Sequence, residues 1–412
     1  MSGMKPLEGV KIIELSTYVA ASSCGRMLAD FGANVIKVES PAGDGFRGFA
    51  KAYKTPCTED CNPLFDTLNA GKKSVVLNLK TPGGMKLFHD LLKDADVFMT
   101  NTRNQSLVPM GLDYETLMAR YPRLVVANLI AYGEKGDEVN RPGYDTMALW
   151  TRGGFTRDIS VENDGHYCPT IPLMGAGDIA CAMGLMAAIS SALYAREKTG
   201  KGDRVSISLY GTALWLGSMM IESTQYGNEF PKKRYFQTPV GAAFKCSDEK
   251  WFTCNVVNFP KDYPNFLRIL GHVELLDDPR YNNRPSMNQP EVAEYLIRLF
   301  EQSFIQHPST YWREQFEAND LCYEIAQSFR DTLDDSTAWE NDYLYRLRHP
   351  NGTESTVVRP SLCSLNLGIP EYSRGPMLGE HSMEVLEEMG YGPEEIQNFA
   401  DEGVTRIRQE DR

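Results

Sequence analysis

Short apolar runs alternate with longer amphipathic stretches through the first half of the chain. Residues 10–15 (VKIIEL) form a continuous apolar-rich run of strand length. After polar Ser16 and Thr17 the spacing becomes helical from Ala20 to about Phe31, and Gly32 stops it. Residues 34–39 (NVIKVE) read as a second strand. Strand, helix and strand in that order predict a βαβ unit, hence a parallel sheet with helices on its faces. The alternation continues with a strand at 74–79 and a helix from Thr81, its N-cap, through Pro82 to about Leu92. A strand at 96–100, a helix capped by Asp113 and ending near Arg120, and a strand at 124–129 follow. Next come the turn LMGAGD at 173–178 and a nearly uncharged small-residue stretch at 179–195. A basic stop (196–198), the turn TGKGD (199–203) and a strand at 204–210 complete the pattern. Residues 1–210 are therefore expected to form a large doubly wound, Rossmann-like α/β domain.

The pattern then changes. A linker is expected at 211–230, followed by a smaller α+β domain over 231–330. There, strands at 243–245 and 251–255 mix with helices at 263–270, 290–302 and 310–318. A second linker is expected at 331–350. Residues 351–412 should return to the large domain, with Met383, Val385, Leu386 and Met389 as an apolar helical stripe.

Composition narrows the function. The chain has 412 residues, 42% hydrophobic and 24% charged, which is ordinary for a globular protein. Its net charge of −13 argues against nucleic acid or an anionic membrane as the main partner. An anionic small ligand would need a local basic cluster working against that field. The start of the chain shows no apolar signal core, and the apolar stretches 179–195 and 205–221 fall short of the roughly 20 residues of a membrane span. They read as buried core, and the protein as cytoplasmic. Nine cysteines lie scattered, and Cys57 with Cys61 lacks the second pair a zinc site needs, so reduced thiols and no metal are expected.

Asp178 is the candidate nucleophile. It stands between flexible glycines and the start of an apolar helix, where backbone N–H groups favour negative charge, and carboxylates form covalent acyl intermediates. Glu39 ends the second strand, where a ribose-binding acid would stand, but Tyr18 and Val19 occupy the turn that would need glycine, so dinucleotide binding is not expected. The helix start at Ala20 still offers N–H groups to a phosphate. The basic candidates for an anion are Lys37, Arg47, Lys72, Lys73, Lys80, Arg103 and Arg141, each with a solvated surface charge as its plainer reading. Asn101 and Arg103 stand out because they end a strand at the carboxyl edge of the sheet, where ligands gather. Asp145 in PGYD reads first as a turn-stabilising side chain, and His381 in LGEH as a helix-entry residue. Neither GxSxG nor a Cys–His arrangement competes with Asp178.

The chain resembles the family III CoA-transferases over nearly its whole length. The motifs occur in order: PLEGVKIIEL from Pro6, LADFGANVIKVE from Leu28, NAGKKSVVLNLK from Asn69 and GLDYETL from Gly111. Gly177-Asp178, TGKGDRV from Thr199, LDDPRY from Leu276 and LGEH from Leu378 follow. SPAGD (40–44), AYGEKG (131–136) and AWENDYLY (338–345) are similar to the clostridial members that act on 2-hydroxyacyl- and enoyl-CoA thioesters.

The resemblance implies an enzyme that moves CoA from an acyl-CoA to a 2-hydroxy acid or related carboxylate, in the setting of anaerobic fermentation. Asp178 would carry the exchange through aspartyl-anhydride and aspartyl-CoA thioester intermediates. Coenzyme A enters as a thioester substrate, with no tightly bound cofactor. Matching positions place CoA contacts at Val19, Ala20, Leu77 through Lys80, Asn101, Thr102 and Arg103, with Tyr144 and Asp145 beside another such segment. Pro109 and Ser40 stand where formyl-CoA transferase carries arginines, which leaves Arg103 or Arg141 to substitute. Its glycine-rich loop is missing at 255–260, where Val257 and Phe259 suit a larger apolar acyl group. The family further implies an interlocked homodimer. An acyl-CoA racemase or epimerase of the same fold, or a non-catalytic CoA-binding subunit, are the alternative readings.

Overall fold

The computed structural model describes residues 5–163, 166–168, 170, 172–230, 234–361 and 373–408. Contacts divide the chain into a first unit (Met1–Gly154, Pro172–Ile221 and Ser336–Arg412) and a second (Phe155–Ile171 and Glu222–Asp335). The sequence pattern placed 155–171 in the large domain and left 336–350 as a linker, whereas contacts assign the former to the second unit and the latter to the first. Residues 344–348 in fact pair as a hairpin strand with Glu354–Val358.

The first unit is built on a parallel sheet of β1 (Lys11–Leu15), β2 (Asn34–Glu39), β3 (Lys73–Val76), β4 (Val97–Thr100), β5 (Val125–Ile130) and β6 (Arg204–Ser208). The order is β3-β2-β1-β4-β5-β6, and each neighbouring pair is parallel. This is the doubly wound α/β arrangement, and it reverses direction between β1 and β4. Ile13, Val38, Val75, Phe98 and Val126 are buried within one cluster, as expected for strands covered on both faces. Helix α1 (Ala20–Asp30) follows β1. Helix α2 (Pro63–Asn69) and then α3 (Pro82–Lys93) come later, the Thr81 hydroxyl accepting the Gly84 N–H at 3.0 Å as the N-cap. Asp113 likewise caps α4 (Tyr114–Arg120).

Helix α5 (Ala176–Thr199) has 24 residues, longer than the stretch the sequence marked, and is apolar enough by length and composition to cross a membrane. It is not buried all round. Cys181, Ala182, Leu185, Ile189 and Leu193 are buried, whereas Ile179, Met183 and Tyr194 are exposed. The second apolar stretch divides into β6, helix α6 (Leu209–Leu216) and a further short helix, Ser218–Thr224, so the expected first linker begins as helix.

The tail closes the first unit. Helices α7 (Ser382–Glu388) and α8 (Pro393–Asp401) bring Val385, Leu386 and Ile396 into the core cluster of the sheet, with Met383 and Met389 packed against it. Leu77 forms an antiparallel bridge to Thr405, whose hydroxyl donates to the Val76 carbonyl at 2.6 Å. The outer edge of β3 is thus covered rather than left to pair with another chain. His381 sits at the start of α7 in its expected role. Its N–H donates to the Ser74 carbonyl and its Nδ1 accepts the Ser74 N–H.

The second unit has an antiparallel sheet of Ala243–Lys245, Trp251–Cys254 and Tyr323–Ile325, with helices Phe259–Leu270, Pro290–Phe304 and Ser309–Ala318. Its core is aromatic. Phe244 stacks on Phe304 at 4.7 Å between centroids, and Phe252, Phe300, Phe316 and Trp312 surround them. Phe259 stacks on Tyr263 within the same unit, while Val257 is exposed.

Two lysines overturn their surface reading. Lys37 and Lys72 lie at the centre of a buried ion network beneath the β1–α1 turn. Lys37 Nζ is 3.0 Å from both Glu14 Oε1 and Asp44 Oδ2, and Lys72 Nζ is 2.8 Å from Glu14 Oε2. Burial lowers the Lys72 ammonium to a pKa of about 8 against the pull of Glu14. Glu39 is equally committed, to Arg47 at 2.7 Å and to the Ser74 hydroxyl at 2.7 Å, so it has no ribose to hold. Lys73 pairs with Glu384 and Glu388 of the tail.

Candidate active site

At the carboxyl edge of the sheet, around the β1/β4 reversal, the first unit carries a cavity of about 420 Å³. The turn after β1 supplies Thr17, Tyr18, Val19 and Ala20, the end of β4 supplies Asn101 and Arg103, and β5 supplies Asn128, Leu129 and Ile130. Arg141, Tyr144 and Asp178 complete the wall that the sequence anticipated, and Arg204 and Glu134 join it. Leu77, Lys80 and Thr102 do not line this cavity. Leu77 is fully buried in the core, Lys80 is exposed, and the Thr102 N–H donates to the Thr100 hydroxyl at 3.0 Å.

The turn after β1 is held in an unusual shape. Tyr18 has φ +61, a left-handed conformation costly for a bulky residue. Two acceptors fix it: the Tyr18 N–H donates to Asp44 Oδ1 at 3.0 Å, and the Thr17 N–H donates to Asn101 Oδ1 at 3.1 Å. Asn101 returns an N–H to the Thr17 carbonyl at 2.7 Å. Asn101 therefore braces the wall of the cavity as well as lining it. The Tyr18 ring meets Phe49 and Tyr144 edge-on, with centroids 6.2 and 6.0 Å apart.

Asp178 is the third residue of α5, which opens at Gly175 with φ +73, a conformation suited to glycine. Asp145 stands behind it, buried. Asp145 Oδ2 accepts the N–H of Gly177 at 3.1 Å and of Asp178 at 3.4 Å. Asp145 is thus the acceptor for the first turn of α5, not a turn-stabilising side chain within its own loop. Gly177 permits the approach, since a Cβ there would lie 2.8 Å from Leu149 and 3.2 Å from Asp145 Oδ2. The helix-start amides expected to favour the nucleophile are spent on this neighbouring carboxylate.

The consequence is electrostatic. Burial, and then the charge of Asp145, raise the Asp178 carboxyl to a pKa of about 7. Burial also raises Asp145, opposed by its two N–H bonds. Two acids so placed titrate as a pair. At neutral pH the site retains a carboxylate that is more basic than a free aspartate, which is how active sites tune a nucleophile.

Arg103, Arg141 and Arg204 line the cavity, and Arg152 shares a partner with Arg141. Arg103 Nη1 donates to the Asn140 carbonyl at 3.2 Å. Arg141 and Arg152 share Glu138, and Arg204 pairs with Glu134. Arg141 and Arg152 also lie over the Tyr132 ring, at 4.9 and 5.3 Å. The exposed pairs that Arg141 and Arg152 make with Glu138 hold little free energy, so these two guanidinium groups can turn to an incoming anion. Sequence reading missed Asn128, Glu134 and Arg204. The one signal for Asn128 was an amide side chain inside an otherwise apolar strand.

Comparison with known proteins gives the family. The model of CoA-transferase family III matches residues 7–382. The chain is 37% identical to (R)-2-hydroxy-4-methylpentanoate CoA-transferase of Clostridioides difficile, over 97% of this chain and 99% of that one. It is also 37% identical to cinnamoyl-CoA:phenyllactate CoA-transferase of Clostridium sporogenes, over 98% of each. Among solved structures, Rv3272 from M. tuberculosis superposes with a TM-score of 0.80 at 26% identity, covering 92% of this chain and 99% of that one. A CAIB/BAIF family protein from Brucella suis gives a TM-score of 0.79 at 25% identity, covering 94% and 100%. The chain belongs to CoA-transferase family III and is a CoA-transferase.

Proposed function

We propose that the protein exchanges CoA between an acyl-CoA and a 2-hydroxy acid through covalent intermediates on Asp178. The observation that carries this reading is the Asp178 carboxyl on the wall of the cavity at the sheet's carboxyl edge, with a pKa near neutrality. A carboxylate oxygen of Asp178 attacks the donor thioester carbonyl, the C–S bond breaks, and CoA leaves as its thiolate. The thiolate then attacks the aspartyl carbonyl of the mixed anhydride. The donor acid departs, and the enzyme holds CoA as an aspartyl thioester. The acceptor carboxylate attacks that thioester and expels the thiolate, which attacks the new acyl carbonyl and frees Asp178. The overall exchange trades one thioester for another of similar energy, so it has no need of ATP. Arg103 and Arg141 are proposed to meet the CoA phosphates, and the β1–α1 turn at Val19 and Ala20 to meet the arm of CoA. Assembly as a homodimer is part of the same proposal, supported by the exposed apolar side chains of Trp215 and Met219.

Replacing Asp178 with alanine should reduce turnover at least about a thousandfold, roughly 4 kcal/mol of transition-state stabilisation. Hydroxylamine added during turnover should mark Asp178, and only when acyl-CoA is present. Wild-type turnover in the alanine variant would falsify the covalent role. A panel of phenyllactate, 2-hydroxyisocaproate, succinate, oxalate and carnitine identifies the acceptor.

A further inference from the structure

Asn128 is out of place in its strand. It sits near the carboxyl end of β5 among Val125, Val126, Ala127 and Leu129, and asparagine is depleted in strands. It is only 8% exposed, yet its Oδ1 has no hydrogen-bond partner among the described residues. Its cross-strand neighbours do not serve it. The Thr100 hydroxyl donates to the Leu15 carbonyl at 2.7 Å and accepts the Thr102 N–H at 3.0 Å, while Ser206 is exposed. A buried amide left unpaired destabilises the fold, and an apolar side chain of the same shape would not. Asn128 lines the same cavity as Asp178, Arg103 and Arg141.

We infer that Asn128 is a substrate-contacting residue whose carboxamide accepts an N–H or O–H of the bound thioester. The inference rests on the cavity being the thioester site. Two groups on such a substrate have the required chemistry. Pantetheine carries secondary amides, which pair with a carboxamide through both donor and acceptor. A 2-hydroxyacyl group carries a hydroxyl beside the reacting carbonyl. The contact would place the thioester against Asp178, and its unmet hydrogen-bonding capacity in the free protein would favour the bound state.

The test compares the full-length protein with Asn128→Leu, which keeps the approximate shape and removes hydrogen bonding. Thermal melting is measured without substrate. The ratio kcat/KM is measured with a 2-hydroxyacyl-CoA and with the same acyl-CoA lacking the hydroxyl. The free variant should melt at or above the wild-type temperature, and kcat/KM should fall about tenfold with at least one ester. Equal losses with both esters assign the pantetheine amide, and a loss confined to the hydroxyacyl ester assigns the hydroxyl. Asn128→Ala, which cannot overpack the site, is read in the same way. Wild-type kcat/KM with both esters overturns the inference, as does a lowered melting temperature in both variants, the mark of a purely structural residue. A wild-type protein that exchanges no CoA overturns the proposed function itself, and the inference with it. An active wild type with indifferent variants overturns the inference alone.

Discussion

At the residue scale the site turns on two carboxyls that compete for one helix start. Asp145 holds the Gly177 and Asp178 amides, and Asp178 keeps a pKa of about 7 in consequence of burial and of that neighbouring charge. If the carboxylate form is the nucleophile, kcat/KM should rise with pH on an acid limb near 7. Asp145→Asn should move that limb to lower pH by removing the repelling charge. Stability should run the other way. Asp178 has a folded pKa above its unfolded value of about 3.8, so between about pH 4 and 7 the folded state binds more protons than the unfolded one. Stability contributed by this group therefore falls as pH rises through that window. Asp178→Asn should melt higher than wild type above about pH 7, with the difference vanishing toward pH 4. A constant difference across that range would count against the raised pKa. Asp178 stood out in the sequence as the proposed nucleophile because a lone acid before an apolar helix has few other uses. The role of Asp145 did not, because its partners lie more than thirty positions along the chain.

At the element scale the decisive feature is the turn between β1 and α1. A left-handed Tyr18 is tolerated because Asp44 takes its N–H, while the other Asp44 oxygen pairs with buried Lys37. The cavity wall is thereby tied to an ion network with no access to solvent. Asp44→Ala should destabilise the protein by about 3–5 kcal/mol in urea denaturation, since it removes one partner of a fully buried cation. Lys37→Met combined with Asp44→Ala should cost less than the sum of the two single changes, because the pair is then removed together. Additive costs would show that the two groups do not interact. The sequence placed the strands and helices around this turn nearly to the residue. It misjudged Lys37 and Lys72 as surface charges, because a lysine in a strand pattern carries no mark of the acids that will surround it.

At the scale of the whole molecule, the first unit is assembled from distant stretches of chain. Its sheet core takes Val385, Leu386 and Ile396 from the tail, and Thr405 covers the edge beyond β3. Leu386 is fully buried there. Leu386→Ala should cost about 2–5 kcal/mol, the range for a truncated core leucine, read as a lowered urea midpoint. It should also lower the yield of active enzyme without changing KM, since the side chain lies in the core and away from the cavity. A stability change below about 1 kcal/mol would mean the tail is not part of the cooperative core. The second unit has its own aromatic core and carries no residue of the described cavity.

The sequence by itself determined the alternation of strand and helix, the doubly wound class and the candidate nucleophile. These depend on local periodicity, on capping chemistry and on one unusual acid, all of which are written within a few residues. Only the tertiary structure decided which carboxylate takes the helix amides, which lysines are buried, and which residues of the tail complete the core. It also decided that an asparagine of β5 lines the cavity with an oxygen that has no partner among the described residues. Those are facts of long-range proximity, and burial turns proximity into energy through desolvation, which no single stretch of sequence encodes.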